Sequence, residues 1–324
     1  MKNTLPVQTI IKAGRYGRSF FISLFTQKIS KDRFDKAYQA MKEEYAASKG
    51  SYDYKDYVMP EWQENTDAIE ASFLNEFSIA FLRNKTIKKT MFMYTFPEWK
   101  NIQKALIKKA INPEKASMIL RETNIGKPLL NDWEYLSSGN NIHLFYHLLK
   151  FLKETDASID RLDTAVEVGG GYGNMAKIFK KLRPASTYVI IDIPVFSYIQ
   201  SVYLKAVLGD DAVNLFKKKG DSIAKGKVNI VPLNNATIRD VAALIPRADL
   251  FISTWALSES NQNMQKLVKD LRYFNAKYLL LAYQKSNGSF GFAEEIKDVG
   301  PDYSTLFNEE TEYLKDNYYL FAAR

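Results

Sequence analysis

Two carboxylates and a run of glycines carry the chemistry most directly written in this chain. Glu167 lies in the apolar stretch Thr164-Ala-Val-Glu167-Val168 and is followed by Gly169-Gly170-Gly171-Tyr172-Gly173. Asp192 closes a second apolar stretch, Tyr188-Val-Ile-Ile-Asp192. Glycines in such a turn reach positive φ and carry no Cβ, so the backbone can lie against a ligand at contact distance. A carboxylate at each strand end, with one glycine turn and one helix between them, makes a cradle for an adenosine-containing group. The next segment repeats Met175, Ile178, Phe179 and Leu182 at helical spacing. Its free N-terminal amides would face the same ligand.

Two cofactor types compete for this turn. Gly171-Tyr-Gly173-Asn-Met-Ala176 satisfies the looser dinucleotide pattern, which keeps an NAD-dependent oxidoreductase open as the alternative. Glu167 argues the other way: it would repel a pyrophosphate, whereas the ammonium and sulfonium of S-adenosylmethionine favour a nearby carboxylate. Asp192, with Ile193 beside it, then suits a pair of ribose hydroxyls.

Further candidates follow from the same strand-end logic. Asn234 and Asn235 follow a third apolar run, Val228 to Val231, where an adenine edge would lie. An ordinary polar turn explains them equally well. Ser253, Thr254, Trp255 and Glu259 follow a fourth run, Leu250 to Thr254, at a position that faces the transferred group and its acceptor. The chain has only two histidines, His143 and His147, four residues apart and so on one face of a helix. A neutral imidazole there can take a proton from an acceptor hydroxyl, with His143 the first choice, His147 the second and Glu259 the competitor. Packing among Leu144, Phe145 and Tyr146 is the structural reading of the same pair. Asn141, Trp255 and Tyr283 are candidates to touch an acceptor. Zinc is disfavoured because Leu144 stands where H-E-x-x-H needs a glutamate; magnesium held by acidic oxygens stays open, having no fixed spacing.

The motif Glu167-Val-Gly-Gly-Gly-Tyr-Gly173 resembles the first motif of class I S-adenosylmethionine-dependent methyltransferases. Together with Asp192-Ile-Pro194, Ser253 to Glu259 and Ser137-Ser-Gly-Asn140-Asn141-Ile-His143-Leu-Phe-Tyr-His147, roughly residues 120 to 285 look like the bacterial sugar O-methyltransferase family. The resemblance implies a Rossmann-like domain, S-adenosylmethionine as cofactor, and methyl transfer to a hydroxyl of a nucleotide-linked sugar or surface glycan. The Gly-Gly-Gly turn and Asp-Ile-Pro also resemble small-molecule O-methyltransferases of the plant and antibiotic type. Those place a catalytic histidine downstream of the fourth strand, where this chain has none.

These groups need elements to hold them. From Thr164 onward strands alternate with helices: strands at 164–168, 188–192, 228–231, 250–254 and 278–283, helices at 173–182, 195–208, 237–244 and 258–274, and a late strand pair near 289–292 and 318–322. The order predicts an α/β fold, a doubly wound and mainly parallel sheet, with its ligand over the strand carboxyl ends. Residues 1–155 are predicted helical, for example 69–82 and 99–111, and form a cap, substrate or dimerisation region; residues 156–324 form the cofactor domain.

Composition bounds the setting. With 324 residues, 46% of them hydrophobic, the chain can bury a full core. It has no cysteine, which removes disulfides, thiolate metal sites and cysteine nucleophiles. No apolar run is long enough for a membrane span, and no cleavable leader is evident, so a cytoplasmic protein is expected. The net charge of +8 is uneven: residues through Thr155 carry 24 Lys and Arg against 17 Asp and Glu, the remainder 21 against 20. The basic excess reads as solvated helix faces or as attraction to an anionic partner or a membrane surface. Nucleic acid is disfavoured for want of a basic, aromatic-interleaved stretch. Peripheral membrane contact and a homo-oligomer both stay open.

Overall fold

Apolar runs buried on both faces build the central sheet. The computed structural model describes residues 7–92, 96–218 and 220–324, with the side chains of 7–13 and 235 outside that description. Its strands are β1 (Leu130–Asp132), β2 (Ser137–Ser138), β3 (Thr164–Val168), β4 (Thr187–Asp192), β5 (Val213–Leu215), β6 (Val228–Pro232), β7 (Leu250–Thr254), β8 (Tyr278–Gln284), β9 (Ser304–Glu310) and β10 (Asn317–Ala323). β1 and β2 form a small hairpin, and the other eight form one sheet in the order β5-β6-β4-β3-β7-β8-β10-β9. Every pair from β5 to β8 is parallel, while β10 runs antiparallel to both β8 and β9.

Helices cover both faces, as the period of two dictates. α8 (Asn174–Leu182) and α9 (Pro194–Leu208) cover the side presenting Ala165, Tyr188, Ile190 and Ile252. α10 (Asn235–Leu244) and α11 (Gln262–Asp270) cover the side presenting Val166, Val168, Ile191 and Phe251. The predicted fold class is the observed one: a Rossmann-like, doubly wound, mainly parallel α/β sheet preceded by a helical region. β3 connects to β4 on one side and has β7 on the other, so the crevice for a ligand opens above its carboxyl end.

Before the sheet come α1 (Val7–Ser23), α2 (Lys31–Ser48), α3 (Pro60–Asn75), α4 (Lys85–Met91), α5 (Pro97–Ala110), α6 (Pro113–Leu120) and α7 (Gly139–Glu154). They join the sheet's own core: Phe34, Tyr38 and Tyr45 of α2 and Phe73 of α3 belong to one hydrophobic cluster with Tyr198 and Val202 of α9. No helix among the described residues is long and apolar enough to cross a membrane.

Three expected elements differ. The helix expected over 69–82 stops at Asn75, and a 3-10 turn follows at Phe81–Arg83. The helix expected over 258–274 covers only Gln262–Asp270; Asn261 caps its start, and Arg272, Tyr273, Phe274 and Asn275 all take positive φ in a left-handed turn. The strand expected near 289–292 is loop; the partner of β10 is β9, whose residues are largely exposed and lack clean alternation.

Candidate functional site

The glycine turn is shaped by what a Cβ would strike. At Gly169 (φ +79°) it would sit 2.0 Å from Cβ of Ala256, and at Gly170 it would sit 2.6 Å from Cγ2 of Ile190 and 3.0 Å from Oε2 of Glu167. Only a bare backbone threads between the two carboxyl ends. Gly171 (φ +56°) faces open space toward Met91, so its backbone borders the cavity rather than the core. Gly173 (φ +91°) caps α8, with its Cα pressed against Leu204.

Above the turn lies a cavity of about 700 Å³. Glu167, Gly169, Gly170, Gly171, Tyr172, Asp192, Ile193, Thr254, Trp255, Glu259, His143 and His147 all line it. Residues that spacing placed far apart thus meet at the crevice. Four carboxylates, Glu61, Glu167, Asp192 and Glu259, line it against one ammonium, Lys89, among the described residues.

Both strand-end acids are buried. Glu167 accepts a 3.0 Å hydrogen bond from the Tyr188 hydroxyl. Burial pushes its carboxyl up to about 8, the charge of Asp192 adds to the rise, and Tyr188 opposes it. Asp192 accepts from the Ile193 amide at 2.8 Å and from Nε2 of Gln200 at 2.7 Å. Burial lifts it to about 7 although these donors and the Gly170 and Gly171 amides favour its ionised form. Gln200 also donates to the Gly171 carbonyl at 3.0 Å, tying the turn to Asp192, and its own Oε1 is buried without a partner.

At the other end α7 brings in the imidazoles, its start fixed by Ser138, whose hydroxyl accepts from the Asn141 amide. The two rings stand 4.2 Å apart, and His143 stacks against Trp255 at 5.8 Å. Gln103 of α5 places Nε2 2.8 Å from Nδ1 of His143, and Tyr319 bonds Nδ1 of His147; both Nε2 atoms lack a protein partner. Burial lowers His143 to about 3 and, with the charge of His143, holds His147 well below its ordinary value. Both are therefore neutral at pH 7 and weak as bases. Glu259, half-buried on the loop after β7, is raised to about 7 by burial. Of the three candidate bases, His143, His147 and Glu259, it is the one whose basicity matches neutral pH.

Several expected contacts lie elsewhere. Asn141 is fully buried, donating to the Leu120 carbonyl and the Ser137 hydroxyl and accepting from Asn174, so it braces α7 and does not line the cavity. Tyr283 is fully buried in the core cluster shared with α10 and α11, its hydroxyl donating to Asn308, and does not line the cavity. Ser253 bridges the Val168 carbonyl and the Leu257 amide beneath the floor. Asn234 caps α10 and donates to the Ser51 carbonyl, because a helix start there competes for its side chain. The Asn235 side chain lies outside the described residues. Tyr172 borders the cavity, but its ring is buried against Phe81 and Tyr203 and its hydroxyl accepts from Asn140. No group of three or more acidic or histidine side chains that could hold a metal occurs among the described residues, so nothing supports the magnesium option.

Sequence reasoning missed the roof. Trp62 on α3, packed edge-on against Phe196, and Met91 and Phe92 at the end of α4 close the cavity over the glycine turn. Phe290, Leu314 and Asn317 also line the cavity, Asn317 beside Trp255. Asn317 is signalled only by its hydrogen bond from Trp255 Nε1, which no spacing foretells.

No protein-family model matches the chain, and no curated protein matches it. Among solved structures it is similar to the mitomycin 7-O-methyltransferase MmcR, at 13% identity over 57% of this chain and 56% of that one, with a TM-score of 0.35. It is likewise similar to an O-methyltransferase family 2 protein from Planctomyces limnophilus in complex with apigenin, at 13% identity over 50% of each chain and a TM-score of 0.33. A mutant of MtNAS aligns with 90% of this chain and 97% of its own, at 13% identity and a TM-score of 0.37. The chain spans about half the length of the first two.

Proposed function

We propose that this chain is an S-adenosylmethionine-dependent O-methyltransferase acting on a sugar hydroxyl. One observation carries the reading: two buried carboxylates, Glu167 and Asp192, flank a glycine turn with no room for a Cβ at Gly169 or Gly170, in a cavity where, among the described residues, four acids face a single lysine. A cationic adenosine cofactor suits those walls, and the diphosphate of NAD does not.

Glu167 and the backbone of Gly169 to Gly171 would hold the amino-acid portion, Asp192 the ribose hydroxyls, and Ile193 and Leu233 the base. Bound there, S-adenosylmethionine supplies a methyl group activated by its sulfonium. The protein contributes alignment and removal of the acceptor proton. Glu259 takes that proton, because its basicity is matched to neutral pH while burial has made both imidazoles feeble bases. With Gln103 donating to Nδ1, His143 carries its proton on Nε2 and donates from the wall to orient the acceptor oxygen.

The acceptor end combines the flat faces of Trp255 and Phe290 with the polar side chains of Ser260, Gln284, Ser289 and Asn317. Apolar ring faces beside scattered hydrogen-bonding groups suit a polyhydroxylated ring. The same excess of carboxylate favours a neutral glycan over a nucleotide-linked sugar. The test is mass spectrometry of neutral glycans, nucleotide sugars and small phenols incubated with the protein and S-adenosylmethionine. A gain of one methylene on the glycans supports the reading. Transfer only to phenols replaces the acceptor, and binding of NADH with none of S-adenosylhomocysteine removes the cofactor assignment.

A further inference from the structure

Far from the glycine turn, α1 leaves its aromatic side chains in solvent. Ser19 and Ile22 face the protein, with the Ser19 hydroxyl accepting from the Leu130 amide, and both are buried. The opposite strip is exposed among the described residues: Phe20 is 61% exposed, Phe21 58%, Leu24 54% and Phe25 60%. Gly14 and Gly17 extend the strip at helical spacing and are exposed too. Phe25 packs against Trp133, itself 49% exposed, from the loop between β1 and β2. The rings and Leu24 expose on the order of 500 Å² of apolar surface, the size of the largest patch on a typical soluble monomer, which is often functional.

In sequence no acidic residue precedes Asp32, whereas Lys2, Lys12, Arg15, Arg18 and Lys28 all do. Among the described side chains Arg15, Arg18 and Lys28 are exposed. Arg18 lies close enough to Lys100 for its charge to help lower the lysine's pKa, behind burial as the larger cause. The two acids nearest Trp133 are already neutralised: Asp132 meets Lys104 at 2.8 Å and Lys100 at 3.6 Å, and Glu134 meets Lys104 at 2.7 Å and Lys108 at 3.0 Å. What faces outward is an aromatic ridge with a cationic margin. A helix of this construction lies in the plane of a lipid headgroup layer, rings inserted and basic groups on anionic lipid.

We infer that α1 and Trp133 form a peripheral docking surface for an anionic lipid bilayer. The surface connects to the cavity through the chain itself. Arg83 stacks over the Tyr16 ring of α1, and the segment that follows it lines the cavity at Lys89 to Phe92.

The test is co-sedimentation of the full chain with phosphatidylcholine vesicles, with and without phosphatidylserine at roughly one lipid in three. Anionic vesicles should bind at least ~10-fold more tightly than pure phosphatidylcholine, and salt should weaken the binding. The double variant Phe21→Ser/Phe25→Ser should lose ~10-fold or more. Arg18→Glu should lose a comparable factor on anionic vesicles only. All three side chains are exposed, so unchanged circular dichroism melts accompany the loss. Three outcomes would overturn the inference. They are no preference for anionic vesicles, binding unaffected by both variants, or a lipid-free dimer that the double variant dissolves, which would assign the face to a second copy of the chain.

Discussion

Binding of S-adenosylmethionine should expel protons, by an amount set by the two strand-end acids. Within the cavity Glu167 is raised to about 8 and Asp192 to about 7, burial being the main cause of each. At pH 7 they carry about 0.9 and about 0.5 of a proton respectively. A cation beside Glu167 and a diol on Asp192 both require the ionised carboxylates, so binding at pH 7 releases about 1.4 protons. The sign is fixed: protonation competes with the ligand, so affinity rises with pH until the carboxylates are ionised, near pH 8 to 9. Lowering the pH from about 7 to about 5.5 should weaken binding by nearly three orders of magnitude, as both acids become almost fully protonated. The assay is isothermal titration calorimetry in buffers of contrasting ionisation enthalpy, where the slope of observed enthalpy gives the protons released. Asp192→Asn should cut the release to below about 0.9, because it removes the proton of Asp192 and also the charge that helps to raise Glu167. An enthalpy independent of buffer, with affinity flat over the same range, would refute the electrostatic account of this site.

Three other outcomes are expected. Gly169→Ala forces a Cβ against Ala256 at a positive φ, so denaturant unfolding should show a loss of about 1 to 3 kcal/mol, part of which Ala256→Gly restores. Glu259→Gln should leave cofactor affinity in place while turnover falls ~10²-fold or more; the wild-type rate should rise with pH through about 7 and the variant's should not. His143→Ala should raise KM for the acceptor and keep the pH limb; loss of that limb would return the role of base to the imidazole.

Much of the floor was legible because its physics is local. Glu167, Gly169 to Gly171 and Asp192 sit on strand ends and a turn whose patterns span only a few residues, and each lines the cavity. The same locality misplaced Asn234 and Ser253. A short polar side chain after a strand has backbone groups of its own to satisfy, and α10 and the Leu257 amide claimed them. Asn141 shares its helix with the two histidines but faces α6 and α8, and the spacing does not show which face of a helix meets solvent and which meets the core. Trp62, Phe92 and Asn317 reach the site only through packing of distant elements, which no window of sequence records. The strand pair at the end of the sheet was half legible for a related reason. β10 is an apolar run, while β9 is an exposed edge with no buried face to impose alternation.

The four tryptophans divide the molecule into optically separate regions. Trp62 and Trp255 line the cavity, Trp99 packs on Tyr313 behind it, and Trp133 stands on the aromatic ridge. Trp255 lies against both imidazoles, so ligand entry should alter its quantum yield, while lipid contact should shift the emission of Trp133 to the blue. Replacing all but one of them by phenylalanine would give two single-reporter proteins. In one experiment they could show whether the cavity fills before or after the protein settles on a membrane.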